Sequence, residues 1–285
     1  MIAVTGANGH LGRLVIDALL RTIPASEIVA TVRTPEKGQA LAAKGVQVRI
    51  ADYNRPETLD SAFAGVDKLL LISSSEVGAR AAQHKAAIDA AKRAGVKLLA
   101  YTSILDAERS PLALADEHRQ TEAYLKASGV PFVLLRNGWY AENYDSAVAS
   151  ALQHKAVLGS AGEGRISWAD RTDYADAAAA VLTADTDQAG RVYELAGDEA
   201  YTMAELAAEI ARQSGEPVVY KDLPEAAYKD VLVGAGLPEG FAGVLADSDV
   251  GASKGGLFHD GRQISALTGR PTATLAQYVA QALKA

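Results

Sequence analysis

Thr5-Gly6-Ala7-Asn8-Gly9-His10-Leu11-Gly12, close to the amino terminus, has the residue types and spacing to hold a phosphate. An apolar run precedes it and a helical apolar pattern follows. In that setting Gly6 permits a tight turn, Gly9 lets the backbone approach a pyrophosphate, and Gly12 lets helix and strand pack closely. The helix start then turns N–H groups and a positive dipole end toward the anion. About twenty residues further on, a site that prefers NAD carries an acid for the ribose 2′-hydroxyl. Here the second apolar run ends at Arg33, followed by Thr34, Pro35, Glu36 and Lys37. A guanidinium suits a 2′-phosphate through paired charge-assisted hydrogen bonds, and Lys37 adds charge. NADP is therefore favoured over NAD. Glu36 is the reservation, because a small rotation would aim it at a 2′-hydroxyl instead.

Further candidates stand at the ends of later apolar runs. Asp52 is placed either to accept from an adenine amino group, with Tyr53 packed nearby, or to close a turn. Ser73, Ser74 and Ser75 end the fourth run. Small hydroxyl side chains let a cofactor backbone and ribose pass close, and they would serve equally as a helix cap. After the sixth run, Asn137 can hydrogen-bond a nicotinamide amide or ribose and Gly138 permits close approach. Trp139, Tyr140 and Tyr144 offer aromatic surface on which a flat acceptor could stack. Gly162, Gly164 and Arg165 suggest a second loop, with Arg165 facing a phosphate or ribose.

The usual proton donor is missing. None of the eleven tyrosines has a lysine four residues later, so the Tyr-x-x-x-Lys pair that protonates an alkoxide in many dehydrogenases is absent. The helix in that place reads Asp116-Glu117-His118-Arg119-Gln120-Thr121-Glu122. His118 and Glu122, four apart, are expected to be surface or inter-lobe polar residues. A ketone needs a proton as hydride arrives. A quinone needs it less, because its reduced form is a stabilised phenolate that water protonates. Such an acceptor asks mainly for proximity, orientation and an apolar stacking surface. The five histidines, His10, His84, His118, His154 and His259, lack metal-ligand spacing, and no metal is expected.

The elements that must position these residues follow from hydrophobic pattern. Apolar runs at 1–5, 28–32, 46–51, 68–72, 97–102 and 132–136 are mostly continuous rather than alternating, which suits strands covered on both faces. Between them lie helical stripes such as Leu11, Val15, Leu19 and Leu20, or Ala87, Ile88, Ala91 and Ala94. The alternation predicts an α/β fold, a doubly wound parallel sheet of Rossmann type. The second half reads as helices at 140–154, 173–184, 202–213 and 224–233, with short strands at 191–195 and 217–220. Thr202 with Glu205 forms a capping-box pattern. A dinucleotide-binding domain is expected over 1–136 plus parts of 137–200, and the remainder to 285 as a smaller, mostly helical C-terminal lobe covering substrate.

Composition narrows the classes. With 49% apolar and 22% charged residues the chain is of globular type, not disordered. A net charge of −7 disfavours a general nucleic-acid surface. The absence of cysteine excludes disulfides, thiol catalysis and cysteine-ligated metal. No apolar run approaches the ~20 residues of a membrane span, and the amino terminus has no basic signal region. A soluble, cytoplasmic chain is the expectation, and a homodimer is compatible with it.

TGANGHLG, VRTPEK, LLLISSSEVG, AYTS and LLRNGWYAENY, with the stretch at 245–256, together resemble the NmrA-like atypical short-chain dehydrogenases/reductases. More narrowly they resemble the bacterial NAD(P)H-dependent quinone oxidoreductases of that family. Triphenylmethane reductase is a cousin that differs at the serine triplet and the Arg-Asn-Gly-Trp-Tyr segment. The resemblance implies a two-domain protein that binds NADPH and passes hydride to a quinone without flavin or metal. It assigns to the cofactor Gly6, Ala7, Asn8, Gly9, His10, Leu11, Arg33, Ser73, Ser74, Ser75, Asn137, Gly138, Trp139, Tyr140, Ala141, Glu142 and Arg165. Asn137 and Tyr140 would stand nearest the reacting atoms. The same family includes NmrA, a regulator that binds dinucleotide and contacts a protein partner, so a non-catalytic redox sensor is the rival expectation. The arginine at 33 and the aromatic segment favour an enzyme.

Overall fold

Most apolar runs of the first half become strands buried on both faces, as Ile2, Ala3 and Val4 already show, while the edge strand at Gln47–Ile50 is only partly covered. The computed structural model describes residues 1–284. In chain order its elements are β1 (Ile2–Val4), α1 (His10–Leu20), β2 (Ile28–Val32), α2 (Gln39–Ala42), β3 (Gln47–Ile50), α3 (Glu57–Phe63) and β4 (Lys68–Leu71). They continue with α4 (Arg80–Ala94), β5 (Leu98–Ile104), α5 (Ala115–Ser128), β6 (Phe132–Asn137), α6 (Asp145–His154), β7 (Ala156–Gly159), α7 (Arg171–Thr183) and β8 (Val192–Leu195). The chain ends with α8 (Met203–Ser214), β9 (Val219–Asp222), α9 (Glu225–Gly234), α10 (Glu239–Ser253), α11 (Gln263–Thr268) and α12 (Leu275–Ala282). No helix among the described residues is long and apolar enough to cross a membrane.

One compact unit comprises Met1–Ala107, Glu117–Asn137 and Arg171–Tyr193. Its sheet runs in the order β3-β2-β1-β4-β5-β6-β8, with β1 to β6 paired in parallel. The order reverses between β1 and β4, the point at which doubly wound sheets bind ligands beyond their strand ends. One face carries the core of Val29, Phe63, Leu69, Leu99 and Leu134, closed by Ala87, Ile88 and Ala91 of α4. α7 packs on α1, Arg21 pairs with Asp176, and Lys68 Nζ donates to the Leu182 carbonyl at 2.7 Å. The helix expected after the serine triplet begins at Arg80, because Gly78 turns the chain at φ +90° just before it.

The other unit comprises Glu108–Asp116, Gly138–Asp170 and Glu194–Ala285. β7, which the hydrophobic pattern did not announce, pairs in parallel with β9. The stretch from 140 starts as a 3-10 turn, Ala141–Tyr144, before α6. Thr202 accepts from the Glu205 amide while the Glu205 carboxylate accepts from the Thr202 amide, so the expected capping box forms. Trp168 sits in the core, its ring centroid 5.0 Å from Tyr144 and 5.5 Å from Tyr201. That corrects one expectation. Tyr144 is buried against Trp168 and serves the core of this unit, not an acceptor surface.

Candidate dinucleotide site

The glycine loop makes a cradle for an anion. Gly6 takes φ +57°, a left-handed conformation that glycine adopts without the Cβ penalty. Its carbonyl accepts from the Gly9 amide at 2.8 Å. α1 starts at His10 with extended Gly9 as N-cap and no side-chain cap on its first amides. Those orphan donors and the dipole end are what a bound phosphate would satisfy. A Cβ on Gly12 would lie 2.7 Å from Ala7 Cα and nearer still to the Gly6 carbonyl oxygen, so loop and helix touch there. Gly6, Asn8 and Gly9 line a cavity of about 380 Å³ at the carboxyl ends of β1 to β4. Ala7 and Leu11 are buried in the core and His10 is exposed; none of the three lines that cavity.

Arg33 and Lys37 stand at the rim of the same cavity. Glu36 does not. It is exposed on a 3-10 turn, and backbone hydrogen bonding together with the Thr34 hydroxyl holds its carboxyl below the usual range. Asp52 closes a turn, as one of its two expected roles requires. It lines the cavity, and its Oδ1 accepts from the Asn54 amide at 3.0 Å to close a turn. Tyr53 is half-buried and edge-on to His84, and burial raises its hydroxyl above the ordinary phenol range.

Residues 73–75 form the wall, and the way that wall is held was not legible from sequence. Past the end of β4, three successive amides donate to buried side chains from three different elements. Ile72 donates to Thr5 Oγ1 at 2.9 Å, Ser73 to Thr102 Oγ1 at 2.8 Å, and Ser74 to His84 Nε2 at 2.9 Å. Arg80 Nε donates to the Ser74 carbonyl at 2.7 Å. The Ser73 and Ser74 amides are thus held within the protein, which leaves those two residues' hydroxyls as the groups a ligand could meet. Arg80, Gln83 and His84 occupy positions i, i+3 and i+4 of α4 and are all buried. That polar stripe in an alanine-rich helix was the signal available in the sequence.

His84 is locked in one tautomer. Nε2 accepts from Ser74, so Nδ1 carries the proton toward Thr121 Oγ1 at 3.0 Å. Burial first, and the Arg80 charge second, push its pKa down to about 3. Unfolded, it would titrate near 6.5. The unfolded chain therefore binds the extra proton between those values, and stability present above about pH 6.5 is lost as pH falls toward 3. The slope from this residue is at most about 1.4 kcal/mol per pH unit. We expect urea-unfolding free energies to fall between pH 7 and pH 5, and to fall less in His84→Gln, which keeps an acceptor for Ser74. Equal slopes in the two proteins would refute the assignment.

His118 and Glu122 are not surface residues. Both are buried in the first unit. His118 Nδ1 lies 2.7 Å from the Tyr101 hydroxyl, and burial drives its pKa far down. Glu122 receives Ser103 Oγ at 2.6 Å and a bidentate Arg136, Nε at 2.9 Å and Nη2 at 2.6 Å. Alternate residues of β5, Tyr101 and Ser103, meet successive turns of α5, which is why the pair faces inward. The helical position where a dehydrogenase keeps its proton donor is thus occupied by a closed structural network.

The remaining assigned residues divide between the units. Asn137 ends β6 in the first unit and is buried. Gly138, Trp139, Tyr140, Ala141 and Glu142 belong to the second, where Trp139 and Ala141 are buried and Tyr140 is bridged to Ala169. Arg165, exposed in that same unit, donates to the Ala200 carbonyl and lies 3.6 Å from Glu205.

Residues 1–274 match the model of the NmrA-like family. The chain belongs to the NmrA-like family. Within that family it is 57% identical over 279 residues to quinone oxidoreductase 2 of Escherichia coli K12, covering 98% of this chain and 97% of the relative. The NADPH complex of the E. coli NADPH-dependent quinone oxidoreductase QOR2 superposes with a TM-score of 0.96 at 56% identity, covering 99% of this chain and all of that one. Citrobacter sp. triphenylmethane reductase complexed with NADP(H) gives 0.95 at 38% identity, with the same coverage.

Proposed function

We propose that this chain is a cytoplasmic NADPH-dependent quinone oxidoreductase that acts on a small-molecule quinone without flavin or metal. The observation that carries the reading is the pair of cations, Arg33 and Lys37, at the rim of a cavity built on an uncapped glycine-loop helix. The 57% identity to a quinone oxidoreductase supports the same reaction. Bound NADPH would supply the hydride.

The chain's own residues bind, orient and leave protonation to water. Gly6, Asn8, Gly9 and the start of α1 take the pyrophosphate. Arg33 takes the 2′-phosphate, with Lys37 adding charge. The hydroxyls of Ser73 and Ser75 take the ribose side. Asn137 orients the nicotinamide, and Gly138 keeps the backbone out of its way. Residues 138–142 and Arg165 are assigned to the cofactor on resemblance, with Tyr140 nearest the acceptor. No side-chain acid is required, in keeping with His118 and Glu122 being spent on structure.

Arg33→Ala is expected to weaken NADPH about 10–100-fold relative to NADH, the scale of a charge-assisted contact. Titrating both cofactors into both proteins checks it. Steady NADPH oxidation across a panel of quinones separates the enzyme from a sensor. Equal wild-type affinity for NADH and NADPH would remove Arg33 from its role. Cofactor binding without turnover on any quinone would leave the regulator.

A further inference from the structure

The acid beside Arg33 is not the neighbour at 36 but one that arrives from 43 residues downstream. Arg33 Nη1 lies 3.3 Å from Glu76 Oε1, and both side chains line the cavity rim. An exposed ion pair is usually worth little, but this carboxylate is held on its other side. Glu76 Oε2 accepts from Gln83 Nε2 at 2.7 Å, and Gln83 is only 4% exposed. The same Nε2 reaches Asn54 Oδ1 at 3.1 Å. The Glu76 amide donates to Ser74 Oγ at 3.2 Å, on the wall that His84 and Arg80 pin. A fixed carboxylate thus shares the guanidinium that a 2′-phosphate needs, and repels that phosphate itself.

We infer that Glu76 is a specificity-determining residue for the cofactor, a built-in counter-ion that limits how tightly Arg33 grips a 2′-phosphate. This rests on the reading of Arg33 given above. An anion entering the rim shares the guanidinium with Oε1 and meets the carboxylate charge beside it, so part of the gain from the guanidinium is cancelled. A cofactor without the 2′-phosphate does not compete for that contact. Glu76 therefore narrows the preference for NADPH over NADH and favours release of the phosphorylated cofactor after turnover.

The test uses 2′,5′-ADP and 5′-AMP, which differ only in the 2′-phosphate, titrated into the full chain at low salt. Glu76→Gln keeps an oxygen for Gln83 but removes the charge. The affinity ratio of 2′,5′-ADP to 5′-AMP should rise about fivefold or more, and the rise should shrink at high salt. An unchanged or smaller ratio in Glu76→Gln, with the wild-type ratio collapsing in Arg33→Ala, overturns the inference and leaves Arg33 in place. A wild-type ratio that survives Arg33→Ala overturns the Arg33 reading, and the inference with it.

Discussion

Replacing Glu122 by alanine should cost about 3–5 kcal/mol of folding free energy, because the buried Arg136 guanidinium loses the carboxylate that receives two of its nitrogens. Glu122 is 3% exposed and receives Ser103 as well as both arms of Arg136. The penalty comes mainly from the buried charge losing its bidentate contact. A double variant, Glu122→Ala with Arg136→Met, should therefore recover part of the loss. Urea unfolding of the wild type, the two single variants and the double variant decides the matter. A single-variant loss below about 1 kcal/mol, or a double variant worse than the sum of its parts, would contradict the account.

Gly12→Val should weaken NADPH at least about 100-fold, through backbone that cannot rotate away. The new Cβ would sit 2.7 Å from Ala7 Cα and closer to the Gly6 oxygen, so the turn must open and α1 must shift. Gly9→Ala meets only the Gly6 oxygen, at 3.2 Å, and should cost much less. Calorimetric titration of both variants, with thermal melts beside it, ranks them. The motif by itself singles out the middle glycine as the one that lets a pyrophosphate approach. The geometry makes the last one the more damaging to fill, and Gly9→Ala losing more cofactor than Gly12→Val would refute it.

Much of the sheet was legible because parallel strands buried on both faces read as unbroken apolar runs. Runs at 28–32 and 68–72 match β2 and β4 to within a residue. The second unit was less legible. β7 is four residues long, and α10 carries Gly240, Gly243 and Gly251, a poor helical composition. Gly251 is explained only by tertiary packing, since a Cβ there would lie 2.7 Å from Leu112 Cδ1. In the site, Arg33 and the serine triplet were readable as cavity-lining residues because that placement follows from position in the chain. Glu76, Gln83 and His84 were not, because their roles exist only once α4 lies beside the ends of β2 and β4. His118 and Glu122 misled for a related reason. Two polar residues four apart look like a solvated helix face until Tyr101, Ser103 and Arg136 are seen opposite.

The first unit is discontinuous, and that bears on its birth at the ribosome. α1 is made early, but α7, which packs on it, spans Arg171–Thr183. β6 stays an open edge until β8 is made at residues 192–195. At ~5–20 residues per second, the 56 residues from Asn137 to Tyr193 take roughly 3–11 seconds to synthesise. Throughout that interval a nascent chain shows an apolar helix face and an unpaired strand, both of which invite association. A fragment cut at 137 would hold that state permanently, whereas the whole chain passes through it once.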